Sequence, residues 1–152
     1  MITFATAVLP EQAWAFEDAS AIRLSSPERK QQLIAAGVGV WMRIDDTLAG
    51  EAYGAPARYA QDPDIAAYAS EEKTMCCFGV ALYDRFRGRG LGTLLVAYWN
   101  ALVRAHGYTA IVGHAAHPAM LAIVKKLGAQ ILAVRHNWGG HGMTAYLYRM
   151  AP

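Results

Sequence analysis

The stretch YDRFRGRGLGTLLVAYWNAL, from Tyr83 to Leu102, constrains the fold more than any other part of the chain. Just upstream, TMCCFGVALYD is almost continuously apolar, which predicts a central strand buried on both faces. Downstream, Leu91, Leu94, Leu95, Tyr98, Leu102 and Val103 recur at helical spacing until Gly107, which predicts one amphipathic helix. Between them Arg85, Arg87 and Arg89 alternate with Gly88, Gly90 and Gly92. A strand that enters a glycine-rich turn and then a helix leaves several backbone N–H groups unpaired at the positive end of the helix dipole. Such a place binds anions. The glycines let the backbone wrap closely round a phosphate, and Arg87 and Arg89 add charge-assisted hydrogen bonds, so a pyrophosphate suits it.

The elements around this unit follow from local chemistry. ITFATAVL reads as a first strand ending at Pro10, and two short helices are expected between Glu11 and Ala36, the second capped by Ser26, entered at Pro27 and stopped by Gly37. VGVWMRI and TLAGEAYGA, turned through DDTLAG, form a predicted antiparallel hairpin. Pro56 to Lys73 is a polar excursion with a short helix within DIAAYASEE. After the loop and its helix, YTAIVGHA is a strand, Pro118 to Leu127 a helix stopped by Gly128, and QILAVRH and TAYLYRM two final strands around a loose NWGGHG. The order is β-α-α-β-β-β-α-β-α-β-β, an α/β (α+β) pattern without repeats.

A chain of 152 residues that is 55% hydrophobic and 17% charged is expected to form a single domain over residues 1–152 with a continuous core. Its net charge of +2 argues against a broad nucleic-acid footprint. Cys76 and Cys77 are adjacent in an apolar strand, where side chains point to opposite faces, so they suit a reducing compartment. No leader or membrane-spanning stretch is read, and the cytoplasm is the expected location. His114, His117, His136 and His141 match no metal-ligand spacing, and no metal is expected.

The loop lacks the Gly-Lys-Ser/Thr ending of a triphosphate loop and the position and acidic partner of a dinucleotide loop. Instead Arg87-x-x-Gly90-x-Gly92 resembles the R/Q-x-x-G-x-G/A signature of the GNAT superfamily of N-acetyltransferases, and the element order resembles that family over nearly the whole chain. HPAMLAIVKKLGA is similar to the family's N-x-x-A-x-x-x-Y-x-x-x-G-F stretch, with Gly128 in register. The resemblance implies a mixed, mostly antiparallel sheet of about seven strands with about four helices, splayed between the fourth and fifth strands. It also implies acetyl-CoA as co-substrate and an amine-bearing acceptor.

Roles carry over residue by residue. By that resemblance the backbone of Val80, Ala81 and Leu82 is expected to pair with the pantetheine arm while their side chains pack, and Arg87, Gly88, Arg89, Gly90, Leu91, Gly92 and Thr93 are expected to cradle the pyrophosphate. Arg85 reads as a solvated surface charge. His117 stands where the family usually has asparagine, and either donates to the cofactor or caps the helix at Pro118. Val124 falls where many members carry the tyrosine that protonates the departing thiolate, and Tyr83, Tyr146 and Tyr148 are the candidate replacements. The central strand offers no carboxylate as base, which leaves Glu51 and His114; histidine, nearly neutral at working pH, is favoured. The rival reading is a catalytically silent CoA-binding module. Trp14, Phe16, Trp41, Tyr53, Tyr59 and Tyr68 fall on what the family uses as its acceptor side, most of them as core, and the apolar TAYLYRM permits a homodimer.

Overall fold

The computed structural model describes residues 1–6, 26–140 and 142–152. Seven strands and four helices lie in this part: β1 (Ile2–Ala5), α1 (Pro27–Ala36), β2 (Val38–Ile44), β3 (Thr47–Pro56), α2 (Pro63–Ala66), β4 (Thr74–Leu82), α3 (Leu91–Ala105), β5 (Ala110–Ala115), α4 (Pro118–Lys126), β6 (Gln130–Trp138) and β7 (Met143–Met150). The end of the expected first strand, the first expected helix, Trp14, Phe16 and His141 fall outside the described residues. The strand order is β1-β2-β3-β4-β5-β7-β6, with β4 and β5 parallel and the other ladders antiparallel. The β4–β5 ladder spans only Thr74–Cys76 against Ala110–Val112, although β4 runs on to Leu82 and β5 to Ala115. No helix among the described residues is long and apolar enough to cross a membrane.

The chain divides into two compact units, Met1–Ala55 with Phe78–Trp99 and Pro56–Cys77 with Asn100–Pro152. In the first, the Ser26 hydroxyl caps α1 by accepting from the Arg29 N–H at 3.2 Å, and Pro27 sits at the first helical position, where its missing N–H costs nothing. Gly37 ends the helix where a Cβ would lie 1.8 Å from the Gly54 carbonyl oxygen. The β2–β3 hairpin turns on Asp45 and Asp46, both at positive φ (47° and 65°), the backbone that matches strand twist in a two-residue turn. The core is built by Leu33, Val40, Met42, Leu95, Val96 and Trp99, each fully buried and worth about 1.5–3 kcal/mol for an aliphatic side chain.

Helix α3 forms as its periodicity predicts, but its buried stripe runs through Leu95, Val96, Trp99 and Val103, while Leu94 and Tyr98 are exposed. Two neighbouring apolar stripes compete on this helix. The one that carries Trp99 wins, because its indole N–H donates to the Val38 carbonyl at 2.9 Å. β4 departs from expectation in the same spirit: Thr74–Cys76 are buried, but Cys77–Leu82 are only half-buried, beginning where the ladder to β5 stops.

The second unit packs Ile65, Met75, Ile111, Val112, Val103, Val124 and Tyr148. Asp62 caps the short α2 by accepting from the Asp64 N–H at 2.9 Å. β6 continues two residues beyond the expected QILAVRH, through Asn137 at φ 50° to Trp138. The Asn137 side chain accepts from the Gly142 N–H at 2.7 Å, a local bond that lets asparagine hold the left-handed backbone. Tyr148 faces Gly113 across the β5–β7 ladder, and its buried ring lies over the glycine, with its hydroxyl bonded to the Cys77 side chain.

Candidate functional site

In the first unit β4 ends in a 3-10 turn, Asp84–Phe86, whose Phe86 is buried as an anchor. From there Arg87 to Gly90 are exposed, and α3 begins at Leu91. Gly88 and Gly90 both sit at φ 75° with nothing within 4 Å of a Cβ, so glycine is needed there for the backbone conformation and leaves open space above it. The Gly90 carbonyl accepts the first helical bond, from the Leu94 N–H at 3.2 Å. The N–H groups of Leu91, Gly92 and Thr93 therefore have no partner within the helix. Arg87 is steered by its Nε, which donates to the Leu82 carbonyl at 3.3 Å, and by an ion pair with Asp84 at 3.1 Å. Arg85 lies over the Phe86 ring at 4.8 Å.

Close packing fixes the strand that feeds the loop. A Cβ on Gly50 would lie 2.5 Å from a Leu82 methyl, and one on Gly79 would lie 2.4 Å from the Tyr53 ring. Val80, Ala81 and Leu82 are half-buried, and the Tyr83 N–H donates to the Ala49 carbonyl at 3.0 Å. Glu51 is 4% exposed; one of its oxygens pairs with the fully buried Lys30 ammonium and the other accepts from the Trp41 indole at 3.2 Å.

In the second unit the structure gathers a group around His114 that sequence reasoning did not assemble. His114 Nε2 lies 3.2 Å from Asp64 and 4.0 Å from Asp62. Arg135 grips Asp64 with both oxygens engaged, Nε at 2.9 Å and Nη2 at 2.8 Å. The Trp138 indole donates to Asp62 at 3.2 Å, and its ring centroid is 5.0 Å from the imidazole. The Arg135 hydrogen bond is the main reason that the Asp64 carboxyl is held below its ordinary value of 3.8; burial opposes it and His114 adds to it. Asp62, Asp64 and His114 are also the one set of His, Cys, Asp and Glu among the described residues whose atoms, within 4.8 Å of one another, have metal-ligand spacing. The guanidinium fork on Asp64 and the indole on Asp62 already occupy much of that donor set.

The other sequence candidates are dispersed. His117 caps α4, its Nδ1 accepting from the Ala119 N–H at 3.1 Å. It also lines a groove of about 400 Å³ together with Ala115, Leu121, Met143, Thr144 and Tyr146. Val124 is fully buried, so the position of the absent tyrosine belongs to the core. Tyr148 is buried as well, and burial foremost pushes its phenol well above the ordinary 10.0.

Many solved structures resemble nearly the whole chain. The ribosomal-protein-S18-alanine N-acetyltransferase from Escherichia coli superposes with a TM-score of 0.76 at 14% identity, covering 99% of this chain and 94% of that one. A GNAT-family acetyltransferase from Streptococcus pneumoniae gives 0.73 at 14% identity, with 99% of each chain covered. One from Elizabethkingia anophelis with acetyl-CoA bound gives 0.70 at 16%, covering 99% and 98%. The chain has the GNAT fold. No protein-family model matches the sequence, and no curated protein sequence matches it. The GNAT fold is thus reached here by element order and packing rather than by overall sequence likeness. The Arg87–Gly92 stretch was legible because its signal is local. Asp64 and Arg135 are 71 positions apart, and nothing in the sequence pairs them except the Asp62-Pro63-Asp64 run, whose cap-then-proline pattern marks a helix start.

Proposed function

We propose that this chain is an acyl-CoA-dependent N-acyltransferase that moves an acetyl group from acetyl-CoA to a primary amine. The observation that carries the reading is the Arg87–Gly92 loop at the head of a 15-residue helix on a GNAT fold. The residues present suit a pyrophosphate: positive-φ glycines with open space above them, exposed arginines and three N–H groups at the helix start. Arg87, Gly88, Arg89, Gly90, Leu91, Gly92 and Thr93 would hold it, Val80, Ala81 and Leu82 would offer backbone to the pantetheine arm, and His117 would donate from Nε2. Bound acetyl-CoA supplies an activated thioester. In the transfer a C–N bond forms to the acetyl carbon as the C–S bond breaks, one amine proton passes to His114, and the thiolate takes a proton from water or from Tyr83. Glu51 ranks below His114 as base because its carboxylate is engaged by Lys30 and Trp41. Cys76 and Cys77 are not joined in a disulfide, which accords with a cytoplasmic setting.

The first test is thermal. Acetyl-CoA at about 100 times its Kd should add about 2.7 kcal/mol, and a domain of this size gains roughly 2–4 °C per kcal/mol, so a rise of roughly 5–10 °C is expected. Gly90→Val should remove it. No shift at saturating acetyl-CoA would sink the reading. The buried Val124 favours the second reading, a silent CoA-binding module; binding without thiol release across a broad amine panel would establish it.

A further inference from the structure

The His114 side chain is only 5% exposed, so its protonation pattern is dictated by what touches it. From α2 it faces Asp64 and from that helix's cap Asp62, and from β6 it faces the Trp138 ring, with Arg135 behind Asp64. The two-pronged grip of Arg135 fixes both the plane and the charge of the Asp64 carboxylate. An ionised carboxylate can only accept hydrogen bonds, and a neutral imidazole carries a single N–H. At 3.2 Å from the carboxylate, Nε2 must be the nitrogen that donates.

We infer that Asp64, held by Arg135, is a positioning residue that locks His114 in the Nε2–H tautomer, so that Nδ1 keeps the lone pair and is the atom that takes the acceptor's proton. This rests on the reading of His114 as the base. When Nδ1 takes that proton, the imidazolium is balanced in place: Asp62 and Asp64 carry two negative charges against the single positive charge of Arg135. The whole group therefore moves from one net negative charge to none. Asp64 touches no reacting atom in this scheme. It acts through the ring, and Arg135 acts through Asp64.

The test is a long-range ¹H–¹⁵N spectrum of the full ¹⁵N-labelled chain with His114 neutral, the signals assigned by H114A. The wild type should show a protonated Nε2 and a bare Nδ1. In D64N the amide can turn its NH₂ toward Nε2, so the population should move toward the Nδ1–H tautomer. Thiol release from acetyl-CoA with the best amine of the panel should then lose about 10²-fold or more in kcat, with the amine KM changing far less. R135Q, which frees the carboxylate plane without removing its charge, should give a partial shift and serves if D64N does not fold. A wild-type Nδ1–H tautomer, or a D64N tautomer and kcat equal to wild type, overturns the inference. H114A with undiminished kcat overturns the base reading and with it the role of Nδ1, while the tautomer lock is read without catalysis and stands or falls on the spectra.

Discussion

Replacing Gly113 with alanine tests the packing of the second unit at its tightest point. The new Cβ would lie 2.8 Å from the Tyr148 hydroxyl and 2.9 Å from Cζ, where about 3.5–4.0 Å is the favourable separation. Tyr148 is 1% exposed, so its ring has no solvent to move into, and displacing it strains the hydrogen bond to Cys77. Overpacking of this kind costs about 1–3 kcal/mol, and a displaced hydroxyl bond about 1 kcal/mol more. Gly113 is not at positive φ, so alanine meets no backbone strain and recovers about 0.4–1 kcal/mol from the unfolded chain. The net expectation is a loss of about 2 kcal/mol, or roughly 4–8 °C in Tm. Urea unfolding followed by tryptophan fluorescence gives the number. G113A/Y148L removes the clash along with the ring, so the double variant should cost less than the sum of the singles by about 1–2 kcal/mol. A G113A protein as stable as wild type, or strictly additive singles, would refute the reasoning.

Other expectations concern pH and capping. Arg135 and Arg149 hold Asp64 and Glu71 below their ordinary 3.8 and 4.5, so the stability they contribute is complete above those values and lost as pH falls through the lowered ones. R135Q and R149Q should flatten the acid limb of a Tm–pH curve; an unchanged limb speaks against both pairs. Burial raises Cys76 and Tyr148 well above 9.0 and 10.0, so their contribution is full below those values and lost as pH climbs through the raised ones. An ultraviolet titration should accordingly show one tyrosine, missing in Y148F, that ionises only with alkaline unfolding. S26A should cost about 1 kcal/mol through the α1 cap, measured by chemical unfolding, and S26D should restore it.

The sequence by itself determined whatever depends on neighbours along the chain. Ser26, Pro27 and Gly37 mark a helix by their own backbone chemistry, the run DDTLAG marks a hairpin turn, and the arginine-glycine run ahead of Leu91 marks a turn into a helix whichever way the rest of the chain packs. Tertiary structure alone decided which of two apolar stripes α3 buries, because that choice turned on Trp99 meeting the Val38 carbonyl. It likewise committed Glu51 to Lys30, two residues whose letters give no hint that they meet in a buried pair. Above all it made His114 more than a histidine at a strand end. The charge and hydrogen bonds that fix its proton come from Asp64 and Arg135, brought together by packing over a separation of 71 residues that no local pattern encodes.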